Sequence, residues 1–183
     1  HEILDGLLRL LSPILSVTAA ESWEFLYGQA ADAPLEQGIF FTDFPALLPE
    51  RRSPELEGRW EKLFTVRSEI TRGLETARRN KVIGHPLEAE VLLAVGGEWQ
   101  GFIQTEWQTI KEISIISELT PCEDFAALGL EAMVSEEVVG LGVAVRPAEG
   151  SKCDRCWTRS LTVGQDLVHP KLCGRCSAVL AEM

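Results

Sequence analysis

The apolar positions at the start of the chain recur with a helical period. Ile3, Leu4, Leu7, Leu8 and Leu11 fall on one face of residues 2–11, and Pro13 interrupts that face. Thr18-Ala19-Ala20-Glu21 has the form of a capping box and predicts a second stretch of helix through Trp23 and Leu26. Residues 28–52 are rich in Gly, Pro, Asp and Gln and predict an irregular connection. Ser53-Pro54-Glu55 then combines a capping Ser with Pro at the first helical position. Beyond it Leu56, Trp60, Leu63, Ile70, Leu74 and Ala77 step by threes and fours, with one gap at Arg67. A helix over 54–80 would be roughly 40 Å long, and its apolar seam needs cover, for which the N-terminal helices are the expected partners.

The period changes after Gly84-His85-Pro86. Residues 88–95 and 111–119 predict strands rich in Val, Ile and Leu, with a short helix around 98–108 between them. Residues 130–146 predict a hairpin. The expected fold class is α+β: a helical part over 1–82, a small α/β piece over 83–147 and a Cys-rich segment over 148–183.

Composition narrows the class. With 45% hydrophobic and 25% charged residues the chain has the make-up of a soluble globular protein. No apolar run approaches the roughly 20 residues that a membrane span needs, which excludes a transmembrane protein. The N-terminus lacks the basic stretch and small-residue cleavage site of a secretory signal, so a cytoplasmic location is expected. It also lacks Met, and the chain is expected to be cut from something longer.

Seventeen basic against twenty-eight acidic residues give a net charge of −11, unpromising for binding a polyanion. The balance is uneven, however. Residues 50–81 carry nine Lys/Arg against six Asp/Glu, a net of +3, and residues 151–176 carry five against two, again +3. Two basic islands in an acidic body suit a protein that meets phosphates along limited faces, or one with ordinary solvated helix faces. Arg67, inside the apolar seam, needs a carboxylate or a phosphate as partner.

The most specific motif is Cys153-x2-Cys156-x16-Cys173-x2-Cys176. Two knuckles at this separation set four soft thiolates around a tetrahedral ion, for which zinc fits best. Two disulfides or a rubredoxin-like iron site are the alternatives. Lys152, Arg155 and Arg175 flank the thiolates and offset their charge, and Gly174 lets the second knuckle turn tightly. With four protein ligands the ion has no open position, so its role is structural. His169 is spare once the thiolates are counted, and Cys122 reads as a half-buried thiol. Trp157 follows the first knuckle and is either the lid of a tiny core, which spacing favours, or a stacking platform for a base. Lys81-Val82-Ile83-Gly84-His85 resembles a nucleotide-binding signature, but Val82 replaces its first His and the segment ends a helix. No catalytic constellation is present.

Three stretches together resemble one family. Residues 11–23 resemble a helix-turn of the anticodon-binding domain shared by isoleucyl-, valyl- and leucyl-tRNA synthetases. Arg78 to Ala89 is similar to the segment that follows it in bacterial isoleucyl-tRNA synthetases. Ala148 to Trp157, with Leu172-Cys-Gly-Arg-Cys176, is similar to the C-terminal zinc segment of the same enzymes, although Thr158-Arg159 stands where many relatives have His-Tyr. The resemblance implies the end of a class I synthetase anticodon-binding helical bundle, a small α/β piece and a four-cysteine zinc finger. It implies a parent that activates isoleucine with ATP and esterifies it to its tRNA, with the chemistry and editing upstream. It further implies that this part, itself non-catalytic, grips the anticodon stem-loop. Its expected partners are isoleucine-accepting tRNA and the rest of the synthetase chain, in a monomeric enzyme. The residues expected to face the tRNA are Trp157, Arg155, Arg159, Arg175, Lys81, Arg78 and Arg67. The competing readings are the zinc-finger region of a DNA-repair glycosylase, whose knuckle spacing is similar, and a protein-binding zinc ribbon, which the acidic remainder would suit.

Overall fold

The amphipathic N-terminal run folds as helix α1 (Glu2–Leu11), with Arg9 and Asp5 paired one turn apart at 3.0 Å. The computed structural model describes residues 1–28, 34, 37–123 and 132–182, in two compact units, His1–Ser53 and Pro54–Met183. The units divide between Ser53 and Pro54.

In the first unit α2 (Ser16–Tyr27) begins two residues before the expected Thr18 box, and no side chain caps it. The reason is the turn after α1. The Ile14 and Leu15 N–H groups bond back to the Leu11 carbonyl and hand the backbone straight into the next helix. Leu8, Ala19, Trp23 and Ile39 form the core of this unit. The Trp23 indole donates to the Gln37 carbonyl at 3.3 Å, and the Arg9 guanidinium lies 5.5 Å above its ring.

The second unit is built on α3 (Pro54–Arg79), which starts at the predicted proline and carries Arg78 and Arg79 in its last turn, where cations suit the helix dipole. Its buried seam is Leu63, Val66, Ile70, Leu74 and Ala77. Val66 fills the gap expected at Arg67, and Leu56 is outside the seam, 47% exposed. Within this unit a sheet and a neighbouring helix cover the seam, a source of cover that the sequence reading did not name. At Gly73 the helix approaches so closely that a Cβ would stand 2.8 Å from a Val143 methyl group.

That sheet has the order β2-β1-β4-β3. Strand β1 (Ala89–Val95) runs parallel to β2 (Glu118–Pro121) and antiparallel to β4 (Leu141–Pro147), and β3 (Met133–Val134) pairs with β4. Helices α4 (Gln100–Thr105) and α5 (Trp107–Ser114) form the crossover that two parallel strands require. The predicted strand over 111–119 is thus wrong except at its end, where Glu118 and Leu119 open β2. Trp107, Ile110 and Ile113 recur by threes around polar Gln108, Lys111 and Glu112, so the segment buries a helical face before the strand starts. The predicted hairpin is present as β3–β4, its first residues lying outside the described ones.

Buried charge ties the layers together. Arg59 makes a two-pronged contact to Glu106, at 2.6 and 2.7 Å, holding the α4–α5 corner against α3. On the central strand Glu90 accepts from Arg146 of β4 at 2.9 and 3.0 Å and from Thr120 of β2 at 2.8 Å, so one carboxylate spans three strands.

Arg146→Ala is expected to strand that carboxylate and cost about 2 kcal/mol of unfolding free energy, less than for a fully buried pair because the arginine is partly exposed. The same truncation at Arg78, in its exposed pair with Glu75, should leave the urea midpoint unchanged. Hydrogen bonding from Arg146 holds the Glu90 carboxyl below its ordinary value. The contribution of the pair is therefore full above the unfolded carboxylate value and is lost as pH falls through the lower, folded one. Midpoints at pH 7 and in acid, wild type against Arg146→Ala, check both statements.

Candidate zinc centre and nucleic-acid interface

The chain leaves β4 through Ala148, whose N–H donates to the Glu88 carbonyl at 2.7 Å, and turns at Gly150 into a two-stranded ribbon. Gly150 has φ +86, and a Cβ there would sit 2.3 Å from the carbonyl carbon of Ser160, so this turn requires glycine. Strands β5 (Ser151–Lys152) and β6 (Arg159–Ser160) frame the first knuckle. Within it the Cys153 N–H donates to the Thr158 carbonyl and the Trp157 N–H to the Cys153 carbonyl, both at 2.9 Å. The second knuckle is the start of α6 (Gly174–Ala181), where the Gly174 N–H donates to Thr162 Oγ1 at 2.9 Å. The Asp154 N–H, bonded to the Lys171 carbonyl at 3.1 Å, joins the two knuckles.

This framework brings the sulfurs of Cys153, Cys156, Cys173 and Cys176 within 4.8 Å of one another, with Cys156 and Cys173 at 3.7 Å. Zinc–sulfur bonds of about 2.3 Å arranged tetrahedrally put the sulfurs about 3.8 Å apart, so the quartet fits the ion. The 3.7 Å separation is far beyond the roughly 2.05 Å of a disulfide. Burial pushes the Cys173 thiol up to about 12. Burial opposes ionisation of Cys153 as well, but backbone N–H groups of Cys156, Cys173 and Arg155 outweigh it and bring that thiol down to about 6. Thiols this crowded do not all ionise by themselves, whereas a divalent cation holds all four as thiolates. Arg175 faces the sulfurs of Cys156 and Cys176 and offsets their charge. The four cysteines form one structural zinc site. His169 lies outside the quartet, its N–H bonded to Asp166. Cys122 is buried against Leu92 and Ala144.

Trp157 is not the lid of this small core, which consists of the cysteines with Val163 and Leu172. The residue is 59% exposed, its backbone is left-handed at φ +67, and Lys152 Nζ lies 5.1 Å from the ring centroid. The knuckle turn imposes the backbone conformation, and the conformation turns the side chain outward. Lys152 was identifiable in sequence only as a neighbour of Cys153. Arg155 is exposed on the same turn. Arg159 and Arg175 line a cleft of about 880 Å³ between the zinc segment and the α5–β2 edge, which Trp157 does not line. Ser117 closes that junction. Its hydroxyl accepts from the Arg159 N–H at 2.7 Å and donates to the Leu87 carbonyl at 2.5 Å, a role no sequence signal marks.

The helical candidates separate from one another. Arg67 donates to the Ile113 carbonyl at 2.8 Å, so its partner is neither the carboxylate nor the phosphate expected. Arg78 is engaged with Glu75 at 2.7 Å. Lys81 is exposed, in a left-handed turn at φ +59 that ends the helix, as expected for the signature lookalike. That turn is completed by His85 Nδ1, which accepts from the Leu87 N–H, and by Glu88, which accepts from the Gly84 and His85 N–H groups.

Removal of zinc with a strong chelator under reducing conditions is expected to unfold the segment from Ser151 to Cys176 while β1 and β4 keep their protection from hydrogen exchange. Reduced, unchelated protein that contains no zinc in elemental analysis would contradict the assignment.

Comparison with known proteins places these features. Residues 1–93 match the family described as "Anticodon-binding domain of tRNA ligase", and residues 150–179 match "Zinc finger found in FPG and IleRS". All 183 residues align at 52% identity with an isoleucine–tRNA ligase of Desulfotalea psychrophila. Those of Moorella thermoacetica and Desulfitobacterium hafniense are 38% and 36% identical, also over the whole of this chain. The chain spans 19% of the length of each of these relatives. The shared finger explains the likeness to glycosylases, and the match over residues 1–93 argues against that alternative. From its N-terminal helices into strand β1, the chain belongs to the family of the anticodon-binding domain of tRNA ligases.

Proposed function

We propose that the chain is the tRNA-gripping C-terminal region of an isoleucine–tRNA ligase. It recognises the anticodon stem-loop of isoleucine-accepting tRNA, while activation of isoleucine with ATP and its transfer to tRNA take place in the remainder of a monomeric, cytoplasmic enzyme. The observation that carries this reading is the exposed Trp157 ring, fixed by a metal knuckle with Lys152 above it. A rigid, solvated aromatic suits the unpaired bases of an RNA loop, which a duplex does not offer. Arg155, exposed on the same turn, and Lys81, at the end of α3, add a salt-dependent attraction to phosphate.

Trp157→Ala in the full-length ligase should weaken tRNA binding roughly ten- to a hundredfold, with zinc content and isoleucine activation unchanged. Filter binding, elemental analysis and ATP–pyrophosphate exchange on one preparation decide the matter. Wild-type affinity with a full complement of zinc removes Trp157 from the interface, and lost zinc makes it structural.

The chain by itself carries no nucleotide-binding signature, since the residues around His85 form a helix-ending turn. The isolated chain is expected to form no isoleucyl-adenylate, and detectable ATP–pyrophosphate exchange by it would overturn this expectation.

A further inference from the structure

Among the described residues three that are not glycine hold the left-handed backbone conformation: Lys81, Ile115 and Trp157. All three are exposed. For Lys81 and Trp157 a contact with tRNA accounts for keeping such a residue there, but Ile115 has no such account. It ends α5 at φ +54, ψ +49, a position that glycine or asparagine takes without strain and that a β-branched residue tolerates worst. Packing does not repay the strain, because the residue is 57% exposed.

Ile115 lines the cleft of about 880 Å³ between α5–β2 and the zinc segment, and so does Leu161, 68% exposed. Beside these two aliphatic side chains stand Gln108 and Glu112, bonded to each other at 2.8 Å, and Arg159 and Arg175 on the zinc-side wall. The other charges of the cleft include two pairs, Lys111 with Glu118 and Arg146 with Glu90. The site is therefore nearly neutral, rich in donors and acceptors, and carries an apolar patch. That chemistry suits the face and edge of a nucleobase rather than a bare phosphate or an apolar peptide. We propose that this cleft receives one unpaired nucleotide of the bound RNA, its base against Ile115 and Leu161. The inference rests on the tRNA-binding reading above but concerns a separate place, since neither Trp157 nor Arg155 lines the cleft.

The test is Ile115→Gly in the full-length ligase, measured for thermal unfolding, zinc content and binding of an isoleucine-accepting tRNA transcript. Glycine relieves the strain, so the unfolding midpoint should hold or rise, while the dissociation constant rises about tenfold through loss of the apolar contact. Leu161→Asn should weaken binding in the same direction. Wild-type affinity in Ile115→Gly, alongside weakened binding in Trp157→Ala, overturns the cleft proposal alone. Wild-type affinity in both variants overturns the tRNA-binding reading with it. A lowered midpoint with loss of zinc makes Ile115 a packing residue and also overturns the proposal.

Discussion

Four sulfur atoms held within 4.8 Å of one another set the terms for the last thirty residues. As thiols they are mismatched, one pulled toward ionisation by backbone N–H groups and another pushed away from it by burial. A divalent ion resolves the conflict by converting all four to ligands. Little else is available to order the segment, since Val163 and Leu172 are the apolar residues packed on the cysteines. The metal therefore acts as the core, and a knuckle that wraps tightly around a metal forces unusual backbone angles on its neighbours. Trp157 inherits such an angle and is left in solvent as a rigid platform.

The knuckle is joined to the rest of its unit. The route from the long helix to the knuckle is short and made of specific contacts: Gly73 lets α3 settle on Val143, and Arg146 anchors the end of β4 to Glu90 on the central strand. Beyond β4, the Ala148 and Arg159 N–H groups dock the ribbon on Glu88 and Ser117. A polar stitch is economical here, because the junction also borders a cleft that an apolar seal would fill.

Charge is distributed differently in space than along the chain. Both basic islands carry +3 by residue count. In the fold, however, Arg59, Arg72 and Arg78 of the first island are paired with Glu106, Glu69 and Glu75, and Arg67 is committed to a backbone carbonyl. In the second island Lys152 and Arg155 are exposed, and Lys152 lies against the ring of the exposed Trp157. Equal counts along the chain therefore conceal different surroundings in the fold.

The sequence by itself determined what depends on neighbours a few residues away. Pro54 starts α3, the paired Cys-x2-Cys knuckles specify the zinc ligands, and Lys81 to His85 terminates a helix rather than building a nucleotide site. Local rules decide such features, so local reading recovers them. It went wrong where coverage mattered. Residues 111–114 are helical because Ile110 and Ile113 meet the core around α3, and Val66 rather than Arg67 enters the seam because the sheet reaches that face. The same holds for the cleft at Ile115. These outcomes rest on contacts between residues some thirty to eighty positions apart, which only the tertiary structure decides, because burial is a property of what lies opposite and not of the residue itself.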